Sequence, residues 1–190
     1  MANAGVFLVE TLLGLFGLAL LLRFYLQLFR APYRNPVSQF VVAVTDWVVI
    51  PSRRMVPGLW GADLATLLLA WLLQILELVL VLNLKGYSLG GAAGMAVLGL
   101  SLLAAVKLVK TSVYILMVAV LVQAVLSWVN PHTSVAPVLN ALNRPFLQPI
   151  QRRLPPLGGV DLSPLFLLIA CQLVLMLPVA WLESAVVGLF

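Results

Sequence analysis

The chain has 190 residues, of which 63% are hydrophobic and 9% charged, with a formal net charge of +5. A soluble domain of average usage carries about 25% charged residues, so an ordinary water-soluble globule is excluded. The basic residues are scattered over short loops beside apolar runs, which points to lipid headgroups as counter-ions and away from nucleic acid.

Taken in order, the first apolar run has no basic residue before it and reads as a retained span over 6–29, with Arg23 and Gln27 reaching the interface along their aliphatic stems. Asn35 is the expected N-cap of a helix opened by Pro36. That helix, 37–50, covers only ~21 Å and is too short to cross the hydrocarbon core. Gln39 with Asp46 and Ser38 with Thr45 leave a narrow polar stripe beside Phe40 and Trp47, the pattern of an interfacial helix. Pro51 is expected to end it. Arg53 and Arg54 follow, Pro57, Gly58 and Gly61 make a turn, and Asp63 is the expected N-cap of a second span over 64–82.

Moving 98 positions down the chain takes Pro51 onto Pro149, Arg54 onto Arg152, Gly61 onto Gly159, Asp63 onto Asp161 and Gln74 onto Gln172. Agreement at residues that punctuate the backbone reads as one unit used twice. The second copy has a span over 111–129, a short helix over 134–147, a basic turn with Arg152 and Arg153, a cap at Asp161 and a span over 162–182 that Pro178 kinks or ends. The division is therefore 1–85, a Gly- and Ala-rich apolar linker over 86–110, and 111–190.

The linker is the open point. Gly86, Gly90 and Gly94 form a small-residue ladder suited to close helix packing, and 89–106 is long enough to be a fifth span. Four spans put Arg23, Arg30, Arg34, Arg53, Arg54, Arg144, Arg152 and Arg153 on one side against Lys85, Lys107 and Lys110, an 8 to 3 split; five spans make it 7 to 4 and invert the repeats. Excess positive charge on the cytoplasmic side favours four. The expected class is all-α: a polytopic membrane protein with four core spans, five if the linker crosses, and two interfacial helices.

The order Pro51, Arg53-Arg54, Pro57, Asp63-Leu64 and apolar span, repeated as Pro149, Arg152-Arg153, Pro155, Asp161-Leu162-Ser163-Pro164, resembles the YggT (YlmG) family over nearly the whole chain. The resemblance implies a multi-pass protein of the bacterial inner membrane and no shared catalytic reaction. Roles linked to relatives, in cell division, osmotic tolerance and organellar assembly, imply membrane organisation.

Several side chains are candidates for function. Arg53, Arg54, Arg152 and Arg153 fix orientation, grip anionic lipid phosphates or dock acidic residues of membrane protein partners. Asp63 and Asp161 are explained as caps. Gln74, Glu77 and Gln172 are polar groups at membrane depth, which either hydrogen-bond between helices, reach water, or line a conduction path. Lys107 and Lys110 read as loop or interfacial anchors, and Glu183 as a group reaching water. Cys171 is the single cysteine and His132 stands alone; no metal or cofactor set and no nucleophile–base spacing is present, so an enzyme is disfavoured. The expected function is a non-enzymatic organising or assembly factor, with an ion channel or transporter contributing to osmotic tolerance as the alternative. A homo-oligomer is compatible with either.

Overall fold

The structure, a computed structural model, describes residues 2–56, 58, 62–87, 93–130, 132–153 and 161–188. It is all-helical: α1 (Ala2–Leu28), α2 (Pro36–Met55), α3 (Leu64–Leu84), α4 (Ala93–Val129), α5 (Ala136–Arg153), α6 (Ser163–Val174), a π-helical turn (Leu175–Val179) and α7 (Ala180–Val187). Among the described residues four segments are long and apolar enough to cross a membrane: Asn3–Leu28, Leu64–Leu84, Val97–Val129 and Ser163–Val187.

Among the described residues no fifth span separates the copies. From Ala93 to Val129 the chain is one helix of 37 residues, about 55 Å at ~1.5 Å per residue. No proline interrupts it, and Lys107 and Lys110, expected in a loop or at an interface, lie within the helix opposite carboxylates of other helices. The repeats are consequently parallel.

Local chemistry explains the helix ends. α1 stops where Arg30 takes a left-handed conformation (φ 51°), so that the Ala31 N–H reaches back to the Leu26 carbonyl, with Pro32 beyond. α3 stops at Gly86 (φ +81°) through the Tyr87 N–H to Leu82 and the Gly86 N–H to Asn83, the paired bonds of a Schellman motif. Pro51 and Pro149 do not end the short helices, which run on to Met55 and Arg153. Both prolines are exposed, and so are Trp47 and Pro145, the residues whose carbonyls lose a helical N–H, so the lost bonds are cheap. The second short helix also starts later than expected, at Ala136. Likewise Pro178 neither stops nor breaks the last span: the wider π-helical turn absorbs it and α7 continues.

α1 packs most extensively on α3, α4 lies against α3, and α6 lies against α4. One core cluster joins the copies, with Leu26, Ala31 and Val41 from the first and Ala119, Val138, Leu139 and Leu142 from the second. Phe29 meets Phe146 edge-on with centroids 6.0 Å apart. These contacts put α2 and α5 at the same end of the bundle. The remaining clusters lie under α2 (Leu20, Leu21, Val49, Ala70, Leu108) and under α5 (Val120, Leu147, Leu167, Cys171).

Candidate functional site

At the basic end, the last turn of α2 carries a polar knot. Arg53 donates to Asp63 Oδ2 from Nε (3.0 Å) and Nη2 (2.5 Å), and Nη2 also reaches Gln27 Oε1 at 2.7 Å. Asp63 in turn accepts the Thr66 N–H at 3.3 Å and the Thr66 hydroxyl at 2.5 Å. The ends of α1 and α2 are thus tied to the start of α3. Burial works to raise the Asp63 carboxyl, but the bonds from Arg53 and Thr66 and the guanidinium charge outweigh it and hold it below the ordinary carboxylate value. At the other end of α2, Asn35 Oδ1 accepts the Ser38 N–H at 2.9 Å.

The second copy builds the same joint without the charge. Gln151 stands at the position equivalent to Arg53 and donates to Asp161 Oδ2 at 2.8 Å. Asp161 takes the Ser163 N–H at 2.9 Å and sits one residue ahead of the N-cap, Leu162. The cause is Pro164: the residue that would match Thr66 has no N–H to offer. Among the described residues, Arg54, Arg152 and Arg153 are exposed and hold no ion pair, whereas Arg53 is committed to Asp63.

Arg23 is buried beneath α2. Only 5% exposed, it donates from Nη1 to Thr45 Oγ1 at 2.8 Å and pairs with Asp46 at 2.8 Å, so the polar stripe of α2 faces a buried cation on α1. Here too the second copy substitutes amides: Asn143, equivalent to Thr45 and fully buried, donates to Gln123 Oε1 at 2.6 Å, and Gln123 donates to Asn140 at 2.7 Å. The opposite side of α2 leaves Phe40, Trp47 and Ile50 exposed.

Deeper in the bundle, Glu77 is 2% exposed and pairs with Lys107 Nζ at 2.6 Å, joining α3 to α4. Gln74, equally buried, lies against α1, where a Cβ on Gly17 would come within 3.0 Å of Gln74 Nε2. Lys110 pairs with Glu183 at 2.8 Å, tying α4 to α7 beside a cavity of about 330 Å³ that Lys107, Thr111 and Tyr114 also line. Gln172 is elsewhere: it is exposed on α6, which has no contact with α3 among the described residues. The three polar residues singled out at membrane depth therefore do not line one path within a chain.

In the glycine ladder, Gly86 is a helix stop with nothing within 4 Å of a would-be Cβ, Gly90 lies outside the described residues, and Gly94 falls in the first turn of α4. Among the described glycines, Gly17 makes the tightest approach to a neighbouring helix. The described cavities are mostly apolar, such as one of about 260 Å³ between α1, α4 and α5 lined by Tyr25, Phe29, Leu116 and Phe146. Among the described residues no group of His, Cys, Asp and Glu could hold a metal.

Comparison with known proteins gives this arrangement a family. The CCB3/YggT family matches residues 2–84 and again 102–182. The chain belongs to the CCB3/YggT family. The double match falls on α1–α3 and on α4–α7, as the repeat requires. The chain is 40% identical over 177 residues to an uncharacterized protein of Pseudomonas aeruginosa, covering 92% of this chain and 88% of the relative. It is 38% identical over 172 residues to an uncharacterized protein in the proC 3′ region of Vibrio alginolyticus (90% of each chain). It is 34% identical over 169 residues to the uncharacterized protein YggT of Escherichia coli K12, covering 88% of this chain and 85% of the relative. No solved structure matches.

Proposed function

We propose that this CCB3/YggT protein is a non-enzymatic organiser of membrane protein assemblies that presents a basic, amphipathic face at one end of its bundle. The observation that carries this reading is how the charges are divided. Charged groups inside the bundle are matched to one another, Arg23 with Asp46, Glu77 with Lys107 and Lys110 with Glu183. Among the described residues, Arg54, Arg152 and Arg153 have no ion-pair partner at one end, beside an α2 face carrying exposed Phe40, Trp47 and Ile50. Unmatched guanidiniums beside interfacial aromatics suit anionic headgroups and acidic partner segments, each cation near the surface adding about 1 kcal/mol. The excess of arginine at this end supports a cytoplasmic orientation in the bacterial inner membrane.

The test is photo-crosslinking in native membranes from Arg54 and Arg152 positions, with Arg53 kept because it holds Asp63. Capture of defined membrane proteins is expected, reduced for the probe at 54 when Arg152 and Arg153 become Gln and for the probe at 152 when Arg54 and Arg153 become Gln. Capture indistinguishable from a probe on the lipid-facing side of α1 would contradict the reading. The channel or transporter alternative drew on Gln74, Glu77 and Gln172 sharing a path, and one chain does not form it among its described residues.

A further inference from the structure

Gln74 and Gln172 occupy equivalent positions in the two copies, yet their surroundings are opposite. Gln74 is sealed between α3 and α1, in the space that Gly17 leaves open. The residue equivalent to Gly17 is Ile115, so α4 has no such space, and Gln172 lies exposed on α6. At about 1.5 Å per residue it sits ~14 Å past Ser163, near the middle of a hydrocarbon core about 30 Å thick. Lipid offers an amide no hydrogen-bond partner there, and an unsatisfied polar group in hydrocarbon costs several kcal/mol. Nor does α6 have an unseen neighbour within the described chain, since it touches only α4, α5 and the turn that follows it.

The surface around Gln172 has a defined shape. Leu165 and Ile169 are exposed, and with Gln172 they form a stripe on α6 at spacings of four and three residues. That is the seam of a left-handed helix pair, with one polar residue at a seam position, the device by which such pairs fix register. The stripe stops where the π-helical turn begins.

We infer that α6 is a homodimer interface, in which Gln172 of one chain hydrogen-bonds Gln172 of a second copy across a two-fold axis along the membrane normal. A second copy is the occupant that the chemistry selects. A primary amide carries both donors and an acceptor, so it is complementary to itself. Two copies inserted in the same direction place their amides at the same depth, and the seam carries no charge that calls for an opposite charge on a different protein.

The test uses the full chain in native membranes, with Cys171→Ala removing the single native cysteine. Oxidation of an Ile169→Cys variant is expected to give a disulfide-linked homodimer, while Phe166→Cys, exposed on a neighbouring face, is expected to stay monomeric. Adding Gln172→Leu to the Ile169→Cys chain should lower the crosslinked yield about tenfold, and Gln172→Asn, which keeps the amide, should restore much of it. Leucine suits lipid better than glutamine, so the substitution does not burden folding, and the asparagine variant checks this. Absence of the Ile169→Cys dimer, equal crosslinking through Phe166→Cys, a yield unaffected by Gln172→Leu, or linkage to a different polypeptide would each overturn the inference.

Discussion

Glu77 shows why single residues here are decided by neighbours far away in sequence. Its carboxylate is tolerable at membrane depth because Lys107, thirty residues on, supplies the opposite charge at 2.6 Å. Removing one member of a buried pair strands the other and costs about 3–5 kcal/mol, whereas replacing both with apolar groups is often neutral. Lys107→Met alone should therefore lower the thermal unfolding midpoint in detergent clearly. Glu77→Leu with Lys107→Met should restore most of it, as the leucine already at the equivalent position 175 suggests. Equal losses in the single and double variants would mean that a stranded carboxylate is not the source of the loss. Asp63 makes a second case, this time at the basic end of the bundle. Its folded-state pKa is depressed, so its contribution is complete above the unfolded carboxylate value of about 3.8 and is lost only as pH falls through the lower folded value. Stability measured from pH 8 to pH 5 should be indifferent to this group, while Asp63→Asn should cost ~1 kcal/mol or more at every pH in that range, since a cap and an ion pair go together. A loss specific to the acid end of that window would contradict the assignment.

Among the elements, the spans were legible from the sequence and their partners were not. Long apolar runs announce α1, α3 and the last span, and a spacing of 98 residues announces the repeat, because both are properties of one segment or of two read side by side. Prolines misled the reading of helix ends at 51, 149 and 178, since the cost of a proline depends on whether the carbonyl it frees faces solvent or can be absorbed by a wider turn. The knot of Gln27, Arg53 and Asp63, the burial of Arg23, and the contrast between Gln74 and Gln172 all depend on how helices pack, which residue types alone do not encode. One sequence signal was available: Arg53 maps onto Gln151 and Gly17 onto Ile115, so the two copies had already parted at these joints. The packing of α1 on α3 follows from Gly17 and gives an element-scale prediction. Gly17→Leu would drive a branched side chain into Gln74 and Leu73 and should destabilise the α1–α3 pair by 1–3 kcal/mol or more, whereas Gly14→Leu, with nothing within 4 Å of its would-be Cβ, should be tolerated. Equal unfolding temperatures for the two variants would rule out a close approach at Gly17.

For the molecule as a whole, one continuous α4 makes the repeats parallel and brings the basic ends of α2 and α5 to one end. The paired charges inside the bundle and the arginines without an ion pair among the described residues both follow from that arrangement, and so does the proposed organising role. The most direct test is sided labelling of single cysteines at Arg54, Arg152 and Lys85, each in a Cys171→Ala chain, with a membrane-impermeant reagent applied to intact spheroplasts and to inverted vesicles. Positions 54 and 152 should label together, from the cytoplasmic side only, and position 85 from the opposite side. Labelling of 54 and 152 from opposite sides would contradict the parallel arrangement and everything built on it.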